Sequence, residues 1–315
     1  MESGEWRMNS EQLNINSLKG KSNVFLRNCL FFSLFFFLFS LFSACSSAPA
    51  KVTEVYTIRN TAASQLNLAN QTASHGQFEN ALIILEDARR LAISADDPSL
   101  RIKTIISRGN IYFSLGQSDQ AFMDWENAIQ EAEASREGIL AAQARIYIIR
   151  ASIALLSVER SGSNASAIEE HKANLSREMT IVRTDAFSTA VGYVTLGMAE
   201  KELGRWVEAE SAVRRALDFH ERNLHLEEAA YDWFIIASIR SMAENYDAAL
   251  EALRMAISFD RRAENGFGLA SSWQAMGDVY QKAGRMEESL AAWRRSADIY
   301  NAIGLRSMAE KLETH

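Results

Sequence analysis

The chain has 315 residues, with 33 Lys and Arg against 40 Asp and Glu and a formal net charge of −7. Its Arg and Glu are interspersed. That argues against nucleic acid as a main partner, because phosphate recognition needs a clustered positive face. Only 2 Pro among abundant Ala, Leu, Glu and Arg fit a helical chain, and the length allows one to three domains.

The first element is a targeting segment. Lys19, Lys21 and Arg27 form a positive flank, and Leu30 to Phe42 is a run of 13 uncharged, Phe-rich residues. A membrane span needs about 20 apolar residues, so this run has the length of a signal-peptide core. It ends Leu41-Phe42-Ser43-Ala44-Cys45. Small residues just before a cysteine resemble the lipobox of bacterial lipoproteins, with Phe42 where Leu is usual. The resemblance implies cleavage before Cys45, diacylglycerol on its thiol and a lipid anchor in the bacterial cell envelope. Ser46, in place of Asp, implies the outer membrane, facing the periplasm. An ordinary signal peptide or an uncleaved anchor with an incidental cysteine is the alternative. Residues 1–44 are thus expected to be the signal peptide with its extension, 45–60 the lipidated cysteine and tether, and 61–315 the folded domain. The only other cysteine, Cys29, would leave with the signal, so the mature chain would hold no thiol for a disulfide or metal site.

The folded part carries an internal repeat. Gly76-x-Phe78-x-x-Ala81 recurs at Gly116/Ala121, Gly204-x-Trp206/Ala209, Glu244-x-Tyr246/Ala249 and Gly284/Ser289. The intervals from 81 to 121, 209 to 249 and 249 to 289 are each 40 residues, and 121 to 209 is 88. A fixed period of this size marks a stacked repeat protein. The glycines follow helical stretches, as left-handed C′ residues do, and Asp97 before Pro98 reads as an N-cap with Pro at the first helical position. Breaks between hairpins are expected at Asp96-Asp97-Pro98, Arg136-Glu137-Gly138 and Asn265-Gly266-Phe267-Gly268.

These units resemble tetratricopeptide repeats. The sixth matches best, with Trp273, Met276-Gly277, Tyr280, Gly284, Ser289, Trp293 and Ser296. The fourth has Tyr193, Leu196-Gly197, Ala209, Val213 and Ala216, and the second has Gly109, Tyr112, Ala121, Trp125 and Ala128. The resemblance implies an all-α, right-handed superhelical stack of about six hairpins. Small residues let paired helices approach, and large ones fill the gaps. The unit exceeds the family's usual length of about 34 residues, so helices or loops are longer. The third hairpin, 139–183, lacks the motif residues, and Ser161-Gly162-Ser163-Asn164 replaces its turn.

No catalytic constellation is legible. The five histidines, His75, His171, His220, His225 and His315, fall in no metal-ligand pattern, and His220 and His225 read as surface residues. No phosphate loop and no nucleophile turn is present. The expectation is a non-enzyme without cofactor or metal.

In the tetratricopeptide family one face of each first helix lines a concave groove. Carried over, the groove residues include Leu66 and Asn70, Ile106, Asn110 and Phe113, Val194 and Met198, Tyr231 and Phe234, and Asp278. Asn70 and Asn110 lie 40 residues apart, and Arg150 would be the next rung if the third hairpin keeps register. Asparagine amides both donate and accept, which suits a peptide backbone. Leu66 and Ile106 stand where chaperone-binding repeat domains place basic residues. The expected role is a membrane-tethered scaffold for a protein or peptide partner. The rival is a ligand-binding accessory to a solute transporter, favoured by an apolar cavity at Val194, Met198 and Phe234.

Overall fold

Four of the six hairpins, all but the first and third, follow the same local logic of a 17-residue helix, a three-residue turn and a second helix. The computed structural model describes residues 57–159 and 164–313. The expectations for the signal segment and Cys45 lie outside them. The helices are α1 (Thr57–Ser74), α2 (Phe78–Ser94), α3 (Pro98–Ser114), α4 (Ser118–Ala134), α5 (Gly138–Glu159), α6 (Asn164–Val182) and α7 (Ala186–Glu202). They continue with α8 (Trp206–Arg222), α9 (Leu226–Met242), α10 (Tyr246–Ala263), α11 (Gly266–Lys282), α12 (Met286–Ala302) and α13 (Arg306–Glu313). No strand occurs among the described residues. Successive antiparallel pairs form six hairpins, and each packs on the next, giving an all-α solenoid.

The 40-residue unit comes from longer helices, not longer loops. In the second hairpin α3 and α4 have 17 residues each, and the turns Leu115–Gln117 and Ser135–Glu137 have three. Asn265-Gly266-Phe267-Gly268 is therefore not a loop. Asn265 is the N-cap, accepting from the Gly268 amide at 2.9 Å, and the next three residues open α11. Asp97 caps α3 in the same way, through the Leu100 amide at 2.9 Å. Helix ends leave carbonyls without partners. Here they are closed by Schellman-type bonds such as Arg205 N to the Glu200 carbonyl at 2.9 Å, which requires Gly204 at φ 72°.

Small-on-large packing holds the second, fourth and sixth pairs together. A Cβ on Gly197 of α7 would lie 2.3 Å from Val213 Cγ2 and 2.9 Å from the Ala209 carbonyl oxygen on α8. In the sixth hairpin a Cβ on Gly277 would strike Trp293, and in the second one on Gly109 would strike Trp125. The third hairpin uses helices of 22 and 19 residues, which accounts for the interval beyond two periods. Among the described residues α5 is the one helix long and apolar enough to cross a membrane, and half of that stretch is buried here. It packs on α3, α4, α6 and α7, so its apolar character is that of a core helix.

The two ends of the solenoid meet. Phe78 at the start of α2 makes an edge-to-face contact with Phe267 of α11 at 5.2 Å. Phe267 and Leu305 pack against the core of the first hairpin and equally against that of the last. Ile303, after α12, covers Gly76, where a Cβ would sit 2.8 Å from Ile303 Cδ1. The concave face is therefore closed along one side into a lumen.

Candidate functional site

Among the described residues, three cavities open on the lumen. The first, about 450 Å³, is lined by Leu66, Asn70, Lys103, Ile106, Asn110 and residues of α5, α7, α9 and α11. The central one, about 340 Å³, takes in Phe113, Val191, Val194, Tyr231 and Phe234. Asn110, Tyr147, Phe187, Glu227, Glu228 and Phe267 border both, so the two are continuous. A third, about 610 Å³, lies beyond Phe234 and includes Lys201, Ser238, Asp278 and Lys282.

Nine of the ten groove residues read from the sequence thus border a cavity. The tenth, Met198, is buried, with its sulfur 3.8 Å from the Tyr231 hydroxyl. Leu66, Ile106 and Val194 are themselves buried, so they form wall more than open contact surface. Asp278 is exposed and accepts a hydrogen bond from Trp293 Nε1 at 2.9 Å.

The third hairpin keeps register. Arg150 borders the central cavity, with its guanidinium carbon 4.7 Å from the Tyr147 ring and 5.8 Å from that of Tyr231 on α9. Tyr231 stacks on Phe234 at 6.3 Å, with ring planes 12° apart. Burial pushes the Tyr147 phenol upward, partly offset by the Arg150 charge and by Asn110.

The expectation of surface histidines fails at His220. It is 2% exposed, and its Nδ1 lies 2.7 Å from Oδ2 of Asp232, itself fully buried. Burial raises the Asp232 carboxyl to about 6 despite that partner. His225 is half-buried and packs on His220, Phe187 and Phe219. The pair forms across the α8–α9 turn, between residues 12 apart in sequence, and no local pattern announces it. Asp260 is a second missed group. It is 2% exposed and accepts from Ser272 Oγ at 3.1 Å and Asn265 Nδ2 at 2.8 Å, yet burial lifts it to about 7. Glu227 is also pushed up by burial, against a hydrogen bond from Ser74 of α1.

Phe187, Glu227 and Phe267 did carry a signal, because they stand 40 residues apart near the start of α7, α9 and α11. They add a helical turn of lumen beyond the face carried over from the family. Among the described residues no group of three His, Cys, Asp or Glu is placed to hold a metal ion.

Hairpins with a first-helix glycine locked under a second-helix Val or Trp, left-handed turn residues and a shared concave face define the architecture. The fold is a tetratricopeptide-type solenoid. No family model and no curated protein matches the chain. Similar solved structures include a Rap protein complexed with Competence and Sporulation Factor, at 15% identity over 79% of this chain and 72% of that one, with a TM-score of 0.52. BtubC (BKLC) from P. vanneervenii has 16% identity over 78% and 92%, with a TM-score of 0.46. A tetratricopeptide repeat protein from Parabacteroides merdae ATCC 43184 has 14% over 81% and 93%, with a TM-score of 0.37. At these identities the likeness to the tetratricopeptide solenoid is one of fold.

Proposed function

We propose that this chain is a binding protein, not an enzyme, whose lumen holds an extended segment of a partner protein. The observation that carries this reading is the continuity of the first and central cavities along the closed concave face. An extended segment brings backbone donors and acceptors that must be met. Asn70, Asn110, Ser107, Ser114 and Gln143 line the way with groups that do both, between apolar walls. A similar fold, the Rap protein, is known complexed with Competence and Sporulation Factor, which supports partner binding.

The sequence Leu30 to Cys45 supports a lipid anchor at the bacterial envelope, and Ser46 supports the outer membrane facing the periplasm. Acyl chains at about 0.8 kcal/mol per buried methylene would hold the domain there stably. Metabolic labelling with a fatty acid tests the tether. The wild type should incorporate label and Cys45→Ala should not; equal labelling would refute it. A photo-crosslinker at position 110 or 234 tests the lumen. It should capture a defined partner that the same group at Ile83, exposed on the outside, does not.

A second reading, an accessory that binds a small solute for a transporter, draws on the central cavity. Its volume suits a small ligand, and Val194, Tyr231 and Phe234 give it apolar walls. Mass spectrometry of the denatured purified protein separates the two readings, since a stoichiometric small molecule would favour the second.

A further inference from the structure

The central cavity has an excess of negative charge and of hydrogen-bond acceptors. Glu227, Glu228, Asp232 and Asp260 all border it. Against them stand His220, engaged with Asp232, and Arg150. Arg150 lies against Tyr147 and Tyr231, and its charge acts on those two phenols. Among the described residues, Glu227 and Glu228 make no ion pair. Their surroundings instead include Phe187, Phe267 and Tyr231.

An independent observation points to the missing partner. Asp232 Oδ1 and His220 Nε2 are buried and make no hydrogen bond to another protein group, and both residues line this cavity. Asn110 Oδ1, on the same wall, is also buried without a donor. A buried acceptor left unmet costs about 1–3 kcal/mol, so such groups are rare unless a water, an ion or a ligand group meets them. Two unmet carboxyl or amide oxygens beside two carboxylates that make no ion pair call for a donor-rich positive group. Ammonium and guanidinium carry three and five N–H donors, and aromatic walls stabilise either cation.

We infer that the central cavity receives a Lys or Arg side chain of the segment bound in the lumen, with Glu227 and Glu228 as its counter-ions. The inference rests on the lumen reading above. The raised carboxyls agree with it: burial without a counter-ion lifts Glu227 and Asp260, and a cation brought between them returns both toward the ordinary range.

The test is a positional-scanning library of short, end-blocked peptides offered to the full-length protein and to Glu228→Gln, Glu227→Gln and Glu228→Asp, each first checked for an unchanged melting curve. Pools fixed as Lys or Arg at one position should be retained. Their advantage should fall about tenfold or more in the Gln variants and survive in Glu228→Asp. Retention of peptides with no basic preference, or a preference unmoved by the Gln changes, would overturn this inference and leave the lumen reading standing. Retention of no pool at all would overturn both.

Discussion

Asp260 shows how a single buried carboxyl couples this fold to pH. In the native state it keeps its proton up to about 7, while in the unfolded chain an ordinary aspartate releases it near pH ~3.9. Between those values the native state binds more protons than the unfolded one. Its stabilising contribution is therefore complete below pH ~3.9 and is lost as pH rises through about 7. Asp260→Asn has no such proton. Its melting temperature, relative to wild type, should rise by a few degrees between about pH 5 and about pH 8. Parallel curves across that range would remove Asp260 from the pH response. A second residue-scale prediction concerns the turn after α9. Glu244 sits at φ 60° in the position that Gly204 and Gly284 fill in neighbouring hairpins. The left-handed region costs a side-chain-bearing residue about 1 kcal/mol or more, partly offset by the entropy glycine loses on folding. Glu244→Gly should raise the unfolding free energy by about 0.5 kcal/mol, read as a higher denaturation midpoint with an unchanged slope.

Within an element pair, the decisive contact is the first-helix glycine. Glycine inside a helix normally gives up about 1 kcal/mol relative to alanine. Gly197 keeps that cost because a methyl there would meet Val213 and the Ala209 carbonyl, and a backbone oxygen cannot rotate away. Gly197→Ala should destabilise by about 1–3 kcal/mol. Gly138→Ala, at the open start of α5 with nothing nearby, should be neutral or slightly stabilising. Chemical denaturation of the two variants compares them directly, and equal effects would show that packing at Gly197 is not what fixes the α7–α8 distance. Elements of this kind were legible in the sequence, because caps, turn glycines and small–large pairs act within a few residues or one repeat. The Asn265 segment was misread as a loop for a local reason: two glycines in four residues look like a turn, whereas Asn265 in fact caps a helix that begins at Gly266.

At the scale of the molecule, closure of the stack turns a groove into a lumen. The seam is carried by Phe78, Phe267, Ile303 and Leu305, from the two ends of the repeat array. Removing the half-buried Phe267 ring, which packs against the cores of both ends, should cost about 1–3 kcal/mol and part the ends. Solution scattering of Phe267→Ala should show a larger maximum dimension than wild type, with helix content by circular dichroism unchanged. An identical scattering profile would mean that the remaining contacts hold the seam alone. The sequence by itself determined the helical class and the 40-residue unit, because those depend on periodicity and local turn chemistry, while the inward face of each first helix came with the resemblance to tetratricopeptide repeats. It could not show that the ends meet, that His220 pairs with Asp232 inside the wall, or that four carboxyls share one cavity. Those follow from how six hairpins add up in space, where residues nearly two hundred positions apart become neighbours and burial changes the charge they prefer to carry.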